Sequence, residues 1–209
     1  MRIGVDFDNT IACYDGVFHA AAVERGLIPA TGVAGDKTSV RDHLRGLDRD
    51  ADFTLLQGYV YGPGMKQVQP YPGLDRALST LRAAGHELFV VSHKTTAPFA
   101  GPAYDLHAAA RAFLADRRLV DATLGPFAPH AVFFETRKED KVARIAALGC
   151  DVFIDDLPEI LAMDGYPKAL RKILFDPEGH HPGGVWQGRR FEAFADWDAV
   201  AAAILDGPA

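Results

Sequence analysis

The sequence predicts an α/β fold, a doubly wound parallel sheet carrying a small helical insertion, and three observations lead there. Short apolar runs alternate with segments of helical periodicity along most of the 209 residues. Acidic or hydroxyl residues stand directly after several of those runs, where parallel sheets bind their ligands. One stretch, residues 14–71, breaks the rhythm. A chain of this length can bury one good core and carry a small accessory unit.

The expected strands are 3–7, 87–91, 131–134, 152–154 and 172–175, continuous apolar runs of the kind buried on both faces. Between the first two, a helix over 74–84 places Leu74, Ala77, Leu78 and Leu81 on one face, and Gly85 ends it. A second helix, 138–148, repeats the pattern with Val142, Ile145, Ala146 and Leu148 before Gly149. The tail from 191 to 205 reads as a final helix with Trp197, Val200 and Ile204 facing inward. The insertion is mostly helical, with an apolar stretch at 17–25 and a charged one at 41–52. A long Thr-, Pro- and Gly-rich loop leaves the second strand at His93.

Composition narrows the partners. Hydrophobic residues make up 48% and charged residues 24%, ordinary values for a globular chain. A formal net charge of -6 argues against a nucleic-acid polymer as partner. No apolar run approaches the roughly 20 residues that span a bilayer, so no membrane segment is expected. With the first strand starting at residue 2 or 3, no targeting segment is expected either. Cys13 and Cys150 lack CxxC spacing and read as reduced thiols of a cytoplasmic protein. The adjacent His180 and His181 have no partner pair at zinc-ligand spacing, and Gly35-Asp36-Lys37-Thr38 lacks the glycine spacing of a phosphate loop.

The most informative stretch is Ile3-Gly4-Val5-Asp6-Phe7-Asp8-Asn9-Thr10. Two carboxylates one residue apart at a strand end repel each other unless a cation or a shared proton intervenes. A hard cation such as Mg2+, bound by few carboxylates and open to phosphate oxygens, answers that repulsion and points to phosphoryl chemistry. Three further segments complete the pattern. Ser92 ends the second strand, lysines 138 and 141 open a helix, and Asp155-Asp156 follow the fourth strand.

In this order, these residues resemble the four motifs of the haloacid dehalogenase (HAD) superfamily, whose commonest members are Mg2+-dependent phosphatases. The resemblance implies a Rossmann-like core over 1–13 and 72–209 with a helical cap at 14–71. It implies that Asp6 is the nucleophile, and that Asp8 is the general acid and then base, its backbone carbonyl also binding the metal. Thr10 and Ser92 would hydrogen-bond the phosphoryl group and a lysine would neutralise it. Lys141 is favoured, although Lys138, one turn earlier, could equally reach. Asp6, Asp8, Asp155 and Asp156 form the implied Mg2+ site.

The physics of phosphoryl transfer asks for the same parts. An attacking carboxylate needs cations to offset its repulsion from a phosphate dianion. The expected reaction is hydrolysis of a small phosphate ester, a nucleotide or sugar phosphate, through an aspartyl-phosphate. Phosphotransfer to another acceptor uses the same residues, and a silent phosphate-binding regulator or a protein phosphatase are further readings. His93 and Lys94, in the loop after Ser92, are expected to touch substrate, with Phe18, His19, Arg41, His43, Tyr59, Tyr61 and Lys66 as specificity residues of the insertion.

Overall fold

Six parallel strands form the central sheet in the computed structural model, which describes every residue except Ala122, Leu124, Pro208 and Ala209. They are β1 (Arg2–Val5), β2 (Glu87–His93), β3 (Val132–Glu135), β4 (Val152–Asp155), β5 (Arg171–Phe175) and β6 (Glu192–Phe194). Their order is β6-β5-β4-β1-β2-β3, and every neighbouring pair is parallel. The chain runs outward from β1 through β2 and β3, then returns to β4 on the other side of β1. The carboxyl ends of β1 and β4 therefore flank the topological switch point, where open α/β sheets form their ligand crevice.

The helices are α1 (Val17–Glu24), α2 (Lys37–Arg45), α3 (Asp50–Tyr61), α4 (Leu74–Ala83), α5 (Leu106–Asp116), α6 (Lys138–Ala147), α7 (Pro158–Leu161) and α8 (Trp197–Leu205). Among the described residues, no helix is long and apolar enough to cross a membrane. On one face of the sheet, Phe89, Val91, Phe153 and Leu174 pack with Ile145 of α6. Around Phe175, Tyr71 and Trp197 place their rings at 4.9 and 5.5 Å.

The expected strands are all present, with ends shifted by a residue or two. The C-terminal helix is not as expected, because 192–194 form the edge strand β6 and α8 starts only at Trp197. Phe191, Phe194 and Trp197 mimic a helical repeat, but β5 offers backbone partners and Phe194 O accepts from Asp176 N at 2.9 Å. Asp196 then caps α8 by accepting from Ala199 N at 2.8 Å.

One glycine shapes the site. Gly4 lies opposite Phe153 in the β1–β4 ladder. A Cβ at Gly4 would stand 2.7 Å from Phe153 Cδ2, so only glycine lets that ring lie across β1. Strand alternation then puts Asp6 and Asp155 next on the same face.

By its internal contacts the chain divides into two units. One comprises Met1–Ala12, Pro70–Lys94 and the described part of Arg117–Ala209, and holds the sheet. The other comprises Cys13–Gln69 and Thr95–Asp116. It includes α5, which the expected boundary at residue 72 assigns to the core. Gly58 and Gly62, one turn apart on α3 and at its C-cap, explain the difference. An added Cβ there would fall 2.8 Å from Pro98 and 2.9 Å from Tyr104, so the glycines make room for the segment leading into α5. Phe18 is fully buried in this unit, stacked on Phe53 at 6.0 Å with Tyr14 and Tyr61 edge-on. It is a core residue of this unit rather than one of the expected specificity residues.

Candidate functional site

Past the end of β1 the ladder continues for one bond, Asp6 N donating to Ile154 O at 2.9 Å. Asp6 is 5% exposed. The chain then turns tightly, Ile11 N and Ala12 N both donating to Phe7 O at 3.0 and 2.9 Å. Asn9 takes φ 54°, a left-handed conformation that asparagine tolerates better than most residues. Thr10 is fully buried, and its Oγ1 donates to Asp156 Oδ1 at 3.4 Å, a long bond. Its carbonyl accepts from Trp197 Nε1 at 3.1 Å, which ties α8 to the turn.

Asp155 ends β4, fully buried, with Oδ1 accepting from Leu157 N at 2.9 Å. Carboxylate oxygens of Asp6, Asp155 and Asp156 lie within 4.8 Å of one another. Of the two lysines opening α6, Lys138 is exposed and Lys141 is buried, on the helix face it shares with Val142 and Ile145. Lys141 Nζ donates to Asp6 Oδ1 at 2.5 Å and to Asp155 Oδ2 at 2.6 Å. The same ammonium sits 5.3 Å from the Phe153 ring.

A second buried ammonium stands beside Asp8. Lys94, just past β2, is 4% exposed and donates to both Asp8 oxygens at 2.9 Å. Ser92 is buried within β2. His93, pointing to the opposite face by strand alternation, places Nε2 3.2 Å from Thr136 O. Thus Asp6, Thr10, Lys141, Asp155 and Asp156 are joined directly, Asp8 and Lys94 form a pair, and His93 is engaged with the backbone after β3.

Electrostatically the cluster is short of positive charge. Burial, above all, pushes Asp155 up to about 7, with Lys141 pulling against the shift and Asp6 adding to it. Burial and then the charges of Asp155 and Asp6 hold Asp156 well above the usual carboxylate range. For Lys141, burial opposes its charge, but Asp155 and Asp6 outweigh it and hold the ammonium above its ordinary value.

These shifts make a prediction. Asp155, raised to about 7, binds its proton more tightly in the folded metal-free protein than in the unfolded chain, and the upward shift of Asp156 acts in the same direction, so stability falls as pH rises through about 7. Thermal unfolding in a chelator should give a lower Tm at pH 8 than at pH 5.5, and a saturating divalent cation should flatten the trend. A metal-free Tm that climbs over this range would contradict the reading.

The residues fit a divalent cation. Three carboxylates (Asp6, Asp155 and Asp156) share one ammonium group (Lys141), a shortfall that one such ion closes, while Lys94 is paired with Asp8. Oxygen donors of this type suit a hard cation. A residue that sequence reasoning missed supports the fit. The Tyr166 hydroxyl is buried and has no hydrogen-bond partner among the described residues. Its ring packs on Phe153 at 6.4 Å, on the same face as Asp155. No spacing signal marks Tyr166, which lies in an irregular stretch between α7 and β5.

No protein-family model and no curated protein sequence matches the chain. Solved structures do resemble it. A haloacid dehalogenase-like hydrolase from Streptococcus pneumoniae gives a TM-score of 0.61 at 14% identity, covering 96% of this chain and 96% of its own. A HAD family hydrolase from Deinococcus radiodurans, with bound phosphate and sodium, gives 0.57 at 18% identity, covering 100% and 98%. A HAD-superfamily hydrolase from Ehrlichia chaffeensis gives 0.55 at 13% identity, covering 98% and 96%. With its parallel sheet and the switch point at β1 and β4, the chain has the fold of the HAD-superfamily hydrolases.

Proposed function

We propose that the protein is a cytoplasmic, Mg2+-dependent phosphomonoesterase that hydrolyses a small organic phosphate through an aspartyl-phosphate on Asp6. The observation that carries this reading is the Lys141 ammonium bridging Asp6 and Asp155 at the carboxyl edge of the sheet. It puts a cation beside a buried carboxylate where a phosphoryl group would bring more negative charge. The fold shared with the Deinococcus hydrolase that holds phosphate and sodium supports it.

In the first half of the reaction an Asp6 oxygen attacks phosphorus and the ester P–O bond breaks. The leaving oxygen takes a proton from Asp8. In the second half Asp8 removes a proton from water, whose oxygen attacks the same phosphorus and returns Asp6 as a carboxylate. Lys141, Thr10 and Ser92 hold the phosphoryl oxygens, and Lys94 fixes the Asp8 carboxyl. Asp6, Asp155, Asp156 and the Asp8 backbone carbonyl would hold Mg2+, which supplies positive charge against the phosphate dianion. Because Asp6, Thr10 and Ser92 are almost wholly buried, the site favours a phosphoryl group on a slim ester such as a nucleotide or sugar phosphate.

The test is phosphate release from a panel of nucleotides and sugar phosphates, with Mg2+ and with chelator. Release that depends on Mg2+ is expected. Wild-type protein that frees no phosphate from any of these esters would sink the proposal in favour of phosphotransfer or silent binding.

A further inference from the structure

We infer that Tyr166 is a positioning residue of the metal site, its hydroxyl taking its missing partner from the hydration shell of a divalent cation among Asp6, Asp155 and Asp156. The inference rests on the metal reading of that cluster and extends it to a residue outside the four motifs.

A buried hydroxyl without a hydrogen bond is a net cost to the folded state, and phenylalanine would fill the same space without it. The Tyr166 hydroxyl is such a group among the described residues. Its ring needs no hydroxyl, since it packs on Phe153 at 6.4 Å and lies under Lys172 Nζ at 4.2 Å. Lys172 in turn donates to Leu161 O at 2.6 Å, so this lysine is held by the backbone.

Position supplies the partner. The Phe153 ring neighbours both, with the Tyr166 ring at 6.4 Å and the Lys141 ammonium at 5.3 Å. Asp155 follows Phe153 on the same strand face. The phenol feels the cluster: burial foremost raises its pKa, Asp155 and Asp6 raise it further, and Lys141 offsets part of this. Tyr166 therefore stays protonated and can donate toward oxygen or accept from it. Groups that hold the outer shell of a metal site typically change affinity by roughly 10–100-fold when removed.

The experiment compares the full chain with Tyr166→Phe and Asp155→Asn. Mn2+ and Mg2+ binding is measured by calorimetry at one pH, alongside thermal unfolding of each protein in chelator. The expected result is about tenfold weaker binding in Tyr166→Phe, with a metal-free Tm equal to or above wild type. Equal affinity in wild type and Tyr166→Phe would overturn the inference and leave the metal reading intact. A lowered metal-free Tm in Tyr166→Phe would also overturn it, because the hydroxyl would then have a partner in the protein. If wild type binds neither ion, or Asp155→Asn binds them as well as wild type does, the metal reading itself fails and takes the inference with it.

Discussion

Replacing Asp6 by asparagine is expected to lower phosphate release by at least roughly ten-thousand-fold, since loss of a covalent nucleophile has effects of that order or larger. The amide is nearly isosteric, and it removes one charge from a crowded group of carboxylates. Asp6 adds to the upward pressure on Asp155 and Asp156, so its neutralisation relieves both. Lys141 keeps its partner in Asp155 at 2.6 Å. The Tm of Asp6→Asn in chelator should therefore stay close to wild type. Acid-quenched turnover of a labelled ester should leave phosphate on the wild-type chain and none on the variant. Residual activity within tenfold of wild type would remove Asp6 from the reaction.

Lys141→Met should be the most damaging single substitution to the fold of this region. It leaves Asp6 and Asp155, both almost wholly buried, against each other without the ammonium that joins them. Breaking a buried ion pair from one side costs about 3–5 kcal/mol, which lowers Tm by roughly 6–20 °C in a protein of this size. A saturating divalent cation should restore part of the loss, and a larger part than it adds to wild type. Phosphate release should not return, because the phosphoryl group loses its ammonium. Lys141→Arg should rescue little, since a planar guanidinium does not fit between two carboxylates that converge on one point donor. A Lys141→Met variant as stable as wild type in chelator would show that the bridge does not hold the site together.

Much of this architecture can be read from the sequence because its signals are local. The run into Asp6 is continuous and apolar, as buried parallel strands are, and so are the runs before Ser92 and Asp155. Sequence order then brings the acidic ends together, because β1 and β4 are neighbours in the sheet. What local signals leave out is equally physical. Phe191, Phe194 and Trp197 carry a helical interval, but a free sheet edge outcompeted it for 192–194. The affiliation of α5 depends on space left by Gly58 and Gly62, which only three-dimensional contact reveals. Lys138 and Lys141 look alike in sequence, and helix phase separates them into an exposed and a buried position. The grip of Lys94 on Asp8, and the unpaired hydroxyl of Tyr166, arise from closure between distant segments and leave no local trace.

The bond from the Trp197 indole to the Thr10 carbonyl spans 187 positions of chain, and this sets when the turn after β1 can gain that anchor. At about 5–20 residues per second, Thr10 leaves the ribosome roughly 10–40 s before Trp197. During that interval the turn bearing Asp8 and Thr10 lacks its anchor. Asp6 and Asp155 also wait for Lys141 and for each other. Until then the acidic residues of the cluster stand far apart along the growing chain. The turn is therefore completed late, when α8 docks and the indole reaches the Thr10 carbonyl.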